Sequence, residues 1–136
     1  MNDLATKHLD YLQAVIMRMA ANSFLARGWS VTLTVALIGL AADRGRPALA
    51  LLALFPIAAF WLFDAYFLSL EKRFRDLFDT AARAALSGGE TTLSMNPGPI
   101  AIPFVLRYAT RPVMLLSHGT ILACDLGLLA ILCAVG

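Results

Sequence analysis

Three ionisable side chains stand inside long apolar stretches of this 136-residue chain: Asp64, His118 and Asp125. Ionisable groups are costly in lipid, so each of them has to face protein or a water-filled space. Asp64 lies about five residues inside the charged end of its apolar run. His118 lies six residues past Pro112, on a run that opens from the same side. Their depths are therefore similar, at roughly 8–10 Å. A hydrogen-bonded pair of Asp64 with His118, or of Asp64 with Arg27, is one reading. A proton or cation path through the same groups is the other.

Asp125 sits near the middle of its run, seven residues after His118 and hence on the same helical face. No basic residue has an obvious reach to that depth. In a symmetric oligomer, copies of Asp125 would form an acidic ring, one device by which cation pores select charge. A neutral, protonated carboxyl bonded between helices fits the sequence equally. The same run carries Gly119, Ala123 and Gly127 at four-residue spacing. Small residues in that pattern let membrane helices approach closely.

Other chemistry finds little support. Neither His8 nor His118 has a nucleophile or a paired carboxylate at motif spacing. Ser87-Gly88-Gly89-Glu90 lacks both the following Lys and the preceding strand of a phosphate-binding loop. Cys124 and Cys133 are nine residues apart on one run, which is ~13 Å along a helix and too far for a bridge within the chain. We expect them to be inert, and expect neither a metal site, a cofactor nor an enzymatic activity.

The elements that position these residues follow from composition. The chain is 60% hydrophobic and only 15% charged, against about 45–50% apolar and ~25% charged in soluble domains. So short a soluble chain could not bury that much apolar surface, whereas lipid covers it. A net charge of +2, without a basic run interleaved with aromatics, excludes nucleic acid as the expected partner.

The sequence predicts an all-α protein in a single membrane domain. Residues 3–24 form an amphipathic helix, with Leu9, Leu12, Ile16, Met19 and Ser23 on one stripe. This cytoplasmic or interfacial helix is expected to lie at the membrane surface or pack on a neighbour, and a ligand contact through Lys7, His8 or Arg18 is the alternative. The first span covers residues 22–42, with Arg27 snorkelling to the headgroups, and it continues the first helix, with Gly28 as a possible bend. Ser30, Thr32 and Thr34 in that span are expected to bond their own helix. Asp43-Arg44-Gly45-Arg46-Pro47 is a tight turn with Pro47 opening the next helix. The second span, 48–70, contains Pro56 as a kink site, gathers Trp61, Tyr66 and several Phe at its far end as an aromatic belt, and runs on as a charged helix over 71–86. A Pro-rich connector follows over 87–111, with Ile100–Tyr108 docked at the membrane surface and a short strand over Thr91–Met95. The third span covers 112–135.

Residues 1–28 carry Asp3, Lys7, Asp10, Arg18 and Arg27, which is not a signal-peptide pattern. With three spans, the N-terminus and residues 71–111 share one side and hold nine of the eleven Lys and Arg. The positive-inside rule places that side in the cytoplasm and the C-terminus in the periplasm.

Two segments carry a resemblance: Tyr11–Leu33, YLQAVIMRMAANSFLARGWSVTL, and Phe60–Asp79, FWLFDAYFLSLEKRFRDLFD. Together they resemble a family of small bacterial inner-membrane proteins found beside TIR-like genes in defence neighbourhoods. Over about the first 86 residues the architecture is also similar to SLATT domains, two-span membrane effectors of nucleotide-activated antiphage systems. The third span and the Pro-rich connector depart from that two-span pattern. The resemblance implies a pore that forms when a soluble signalling protein or a nucleotide-derived signal acts, and it implies no catalytic residues. We therefore expect an oligomeric pore-forming effector whose charged helix contacts the signal or partner through Arg73, Arg75, Asp76 and Arg83. A non-conducting membrane anchor recruiting a soluble enzyme is the alternative.

Overall fold

A computed structural model describes residues 3–88 and 92–135. Among these residues four helices follow one another: α1 (Asp3–Arg44), α2 (Pro47–Leu86), α3 (Ile102–Ala109) and α4 (Pro112–Val135). The described residues contain no strand. Three of the helices, α1, α2 and α4, are long and apolar enough to cross a membrane. The chain is an all-helical membrane protein.

At ~1.5 Å per residue, α1 and α2 are each about 60 Å long, twice the ~30 Å of a bilayer core. Each therefore spans with one half and extends beyond the membrane with the other. The two run antiparallel through a turn in which Gly45 adopts φ 59°. The Arg46 N–H donates to the Ala41 carbonyl at 3.2 Å, the closing bond of a glycine-terminated helix end. Pro47 then starts α2 where a missing N–H is harmless.

The buried residues of α1 lie on a single line. Ala5, His8, Leu12 and Ile16 recur 18 residues later as Ser23, Ala26, Ser30 and Thr34. Eighteen residues are about five turns at 3.6 residues per turn, so one straight face is turned inward along the whole helix. The seam passes through His8 rather than Leu9, and Leu9 and Met19 lie half-buried at its edges. The helix is continuous through Gly28, and α2 is continuous through Pro56.

Composition changes along this seam. In the extension it is Leu12 and Ile16, and burying such side chains from water stabilises by ~1.5–3 kcal/mol each. In the spanning half it becomes small and polar: Ser23, Ala26, Ser30 and Thr34 are buried on α1, and Ala50, Ala53, Ala65 and Ser69 are among the residues buried on α2. Phe24, Leu25, Trp29, Leu52, Phe55 and Phe63 point outward instead. Small residues inside and large apolar ones outside suit lipid, where close helix approach replaces the hydrophobic effect as the source of packing energy.

Ser87 caps α2, its N–H donating to the Arg83 carbonyl at 3.0 Å, and Gly88 follows at φ 70°. Residues 92–101 have no regular structure before α3. The strand expected over Thr91–Met95 is absent from 92–95, and Thr91 lies outside the described residues. The physical reason is plain: a strand needs a neighbouring edge, and the helices around this segment have already used their backbone groups. α3 packs on α2 by burying Tyr108, with Phe104 against the Tyr108 ring at 5.0 Å and the Arg73 guanidinium 4.8 Å from the Phe104 ring. α4 then enters beside α2 and α1, parallel to α1.

Candidate functional site: a buried polar seam between three helices

Asp64 lies at the centre, fully buried on the inward face of α2. From α1, Arg27 donates to both carboxylate oxygens, Nε to Oδ2 at 2.9 Å and Nη2 to Oδ1 at 3.3 Å. Ser23 Oγ, one turn earlier on the same helix, also donates to Oδ1. From α4, His118 Nε2 stands 3.0 Å from Oδ2. A carboxylate only accepts, so His118 donates here through Nε2. Its other nitrogen, Nδ1, faces Ser30 Oγ at 3.4 Å. Ser23, Arg27 and Ser30 are spaced i, i+4 and i+7, which puts all three on one face of α1.

The His118 ring is held from a further side. Trp61, three residues before Asp64 on α2, stacks on it with centroids 5.7 Å apart and planes within 10°. Trp61 Nε1–H donates in turn to the Ala109 carbonyl at 3.0 Å, at the end of α3. One carboxylate thus ties α1, α2 and α4 together, and the indole beside it fastens α3. Removing one partner of such a buried pair costs ~3–5 kcal/mol, because the other charge is left uncompensated.

Deeper along the same seam the arrangement is different. Asp125 is seven residues beyond His118, ~10.5 Å further into the membrane. Its side chain is fully buried, and neither carboxylate oxygen has a hydrogen-bond partner among the described residues. Thr34 Oγ1, one turn beyond Ser30 on α1, is likewise buried and unpartnered. The buried α2 residue seven positions from Asp64 in that direction is Ile57. The seam therefore has a fully paired end at Asp64 and an unpaired end at Asp125.

The pairing of Asp64 with His118 and that with Arg27, alternatives in the sequence, occur together. Thr32 bonds its own helix as expected, Oγ1 donating to the Gly28 carbonyl at 3.0 Å, whereas Ser30 turns to His118. Trp61, expected in an aromatic belt, is recruited inward, and Tyr66 and Phe63 remain outside. Ser23 and Trp61 were not foreseen as site residues. Their signal in the sequence was spacing alone, one turn from Arg27 and one turn from Asp64.

The remaining candidates lie apart from the seam. Gly119 is half-buried and Ala123 and Gly127 are exposed. A Cβ at either glycine would meet nothing within 4 Å, so neither glycine is in close contact with another helix among the described residues. Arg73 is occupied by the connector, donating from Nη2 to the Pro99 carbonyl at 3.2 Å beside Phe104. Arg75 pairs with Glu71 at 2.7 Å, Asp76 accepts from Lys72, and Arg83 donates to the Asp79 carbonyl at 3.1 Å, all one turn apart on exposed helix. Lys7 and Arg18 are exposed, while His8 is buried in the α1–α2 contact with Nε2 unpartnered among the described residues.

Compared with protein-family models, curated proteins and solved structures, the chain matches none.

Proposed function

We propose that this protein is an ion-conducting membrane effector that works as a homo-oligomer in the bacterial inner membrane, with the polar seam as its path. The observation that carries this reading is the unpaired end of the seam. A carboxyl taken out of water without a partner is among the most expensive groups a membrane helix can hold. Packing alone would favour an apolar residue at position 125. A group that receives a proton or a small cation explains why the carboxyl is there.

In this reading the described conformation is the resting one, closed because Asp64 holds α1 and α4 against α2. Activation separates α4 from the α1–α2 hairpin, and crowding of copies at high membrane density brings the same separation about without the signal. The face of α4 so released carries His118 and Asp125, and copies arranged about an axis bring these groups to a shared lumen. The extensions of α1 and α2 stand in the cytoplasm and receive the signal, from a soluble protein or a nucleotide-derived molecule. The α2 segment around Pro56 couples that input to the spans. The resemblance to membrane effectors of antiphage systems supports the same setting.

Expression in bacteria with a membrane-potential dye tests this. Wild-type protein depolarises the membrane, and Asp125→Asn protein at equal membrane abundance does not. Depolarisation that persists in Asp125→Asn protein rules out the acidic path.

The full pairing of Asp64 favours a second reading, a non-conducting anchor in which the cluster only fastens helices. Its exposed charged helix would recruit a soluble enzyme. That reading requires a stable co-purifying partner, lost on charge reversal at Arg75 and Arg83, and no ion flux.

A further inference from the structure

A second polar feature lies where the spans meet water, on the side of the charged extension. Leu68, Glu71, Lys72 and Arg75 of α2 face Tyr108 and Arg111 across a groove of about 150 Å³. That is well below the roughly 300–1,000 Å³ of sites that enclose a drug-sized ligand, so it suits a small headgroup. Three cations stand against one carboxylate in its lining. Glu71 is already taken by Arg75 at 2.7 Å, and Lys72 leans on Asp76, whose hydrogen bond holds the ammonium above its usual range.

Arg111 differs from both. It makes no ion pair among the described residues, and its guanidinium sits 4.3 Å from the Tyr108 ring centroid. Tyr108 itself is buried, so the platform under Arg111 is fixed. A guanidinium held this way offers its donors in the fork that matches a phosphate.

Position decides which phosphate. Leu68 belongs to the last apolar turn of the second span, and Arg111 immediately precedes Pro112, where α4 begins. The first turn of α4 exposes Val113, Leu115 and Leu116. Cations at the water level therefore share the groove with Leu68 and adjoin the exposed apolar side chains that open α4. A lipid presents the complementary pair, phosphate above acyl chain.

We propose that this groove binds the headgroup phosphate of an anionic phospholipid, with Arg111 as the main contact and Lys72 and Arg75 beside it. The site depends on the three-span arrangement and not on whether the protein conducts.

Delipidated protein in a non-ionic detergent, titrated with phosphatidylglycerol or phosphatidylcholine and read by native mass spectrometry, tests this. Wild type retains phosphatidylglycerol preferentially. The double variant Lys72→Gln/Arg111→Gln loses roughly 10–30-fold of that preference, while Arg44→Gln/Arg46→Gln at the opposite membrane face keeps it. Equal retention of the two lipids by wild type overturns the proposal, as does an equal loss in both double variants. Displacement of the lipid by millimolar glycerol phosphate also overturns it, since the site would then take a soluble phosphate. The wild-type lipid preference and the competition stand as tests even where the Lys72/Arg111 variant fails to fold.

Discussion

His118 Nε2 and Asp64 Oδ2 meet at 3.0 Å between α4 and α2, on the same carboxylate that α1 holds through Arg27. Three spanning helices therefore share one acceptor group. In a seam whose other buried residues are mostly small or apolar, among them Ala53, Ile57, Ala65 and Met114, this is the strongest directional contact. It sets how α4 is rotated against the hairpin, and thereby where Asp125 lies.

Replacing Asp64 by Ala leaves Arg27 and His118 without their acceptor. We expect a loss of ~3–5 kcal/mol, read as a lower thermal midpoint in detergent. The double variant Asp64→Leu/Arg27→Leu recovers most of that loss, because the uncompensated charge is gone. A double variant no more stable than Asp64→Ala would mean that the pair is not the source of the cost.

Trp61→Phe keeps a ring against His118 but deletes the donor to the Ala109 carbonyl. The expected cost is about 1 kcal/mol, the net value of one such bond. Its effect should be local, with faster hydrogen exchange in α3 and none of comparable size in the α1–α2 hairpin. Uniformly faster exchange would show that the indole acts on the whole bundle.

Asp125→Leu separates stability from function. Removing a buried carboxyl that has no partner should leave the protein as stable or raise its thermal midpoint, by the equivalent of ~1–3 kcal/mol. A clear destabilisation would show that the carboxyl is paired. Depolarisation of expressing cells should fall in the same variant.

The architecture was legible because its signals are periodic and long. Apolar runs gave three spans, and the absence of a helix breaker from Phe67 to Leu86 gave the unbroken α2. Asp64, His118 and Arg27 could be matched in depth by counting residues at 1.5 Å each. Rotation was harder to read. Counting gives depth along a helix but not which neighbour a face meets, so the sequence points Ser30 to its own backbone and Trp61 to the lipid boundary, and the fold turns both to His118. Arg73 is expected from the sequence to meet a signal or partner, whereas its partners within the chain, Pro99 and Phe104, lie 26 and 31 residues away in the connector and α3. Contacts of that separation leave no periodic trace.

Ion flux in proteoliposomes tests the central claim most directly. Purified protein reconstituted at increasing protein-to-lipid ratio should assemble into a ring of four or more copies and conduct protons or a small monovalent cation. Asp125→Asn protein of the same helicity and oligomeric size should lose that flux by about tenfold or more, the scale of a 1.4 kcal/mol change at the path. An undiminished flux in Asp125→Asn protein, or a well-formed oligomer that passes no ion, would contradict the account.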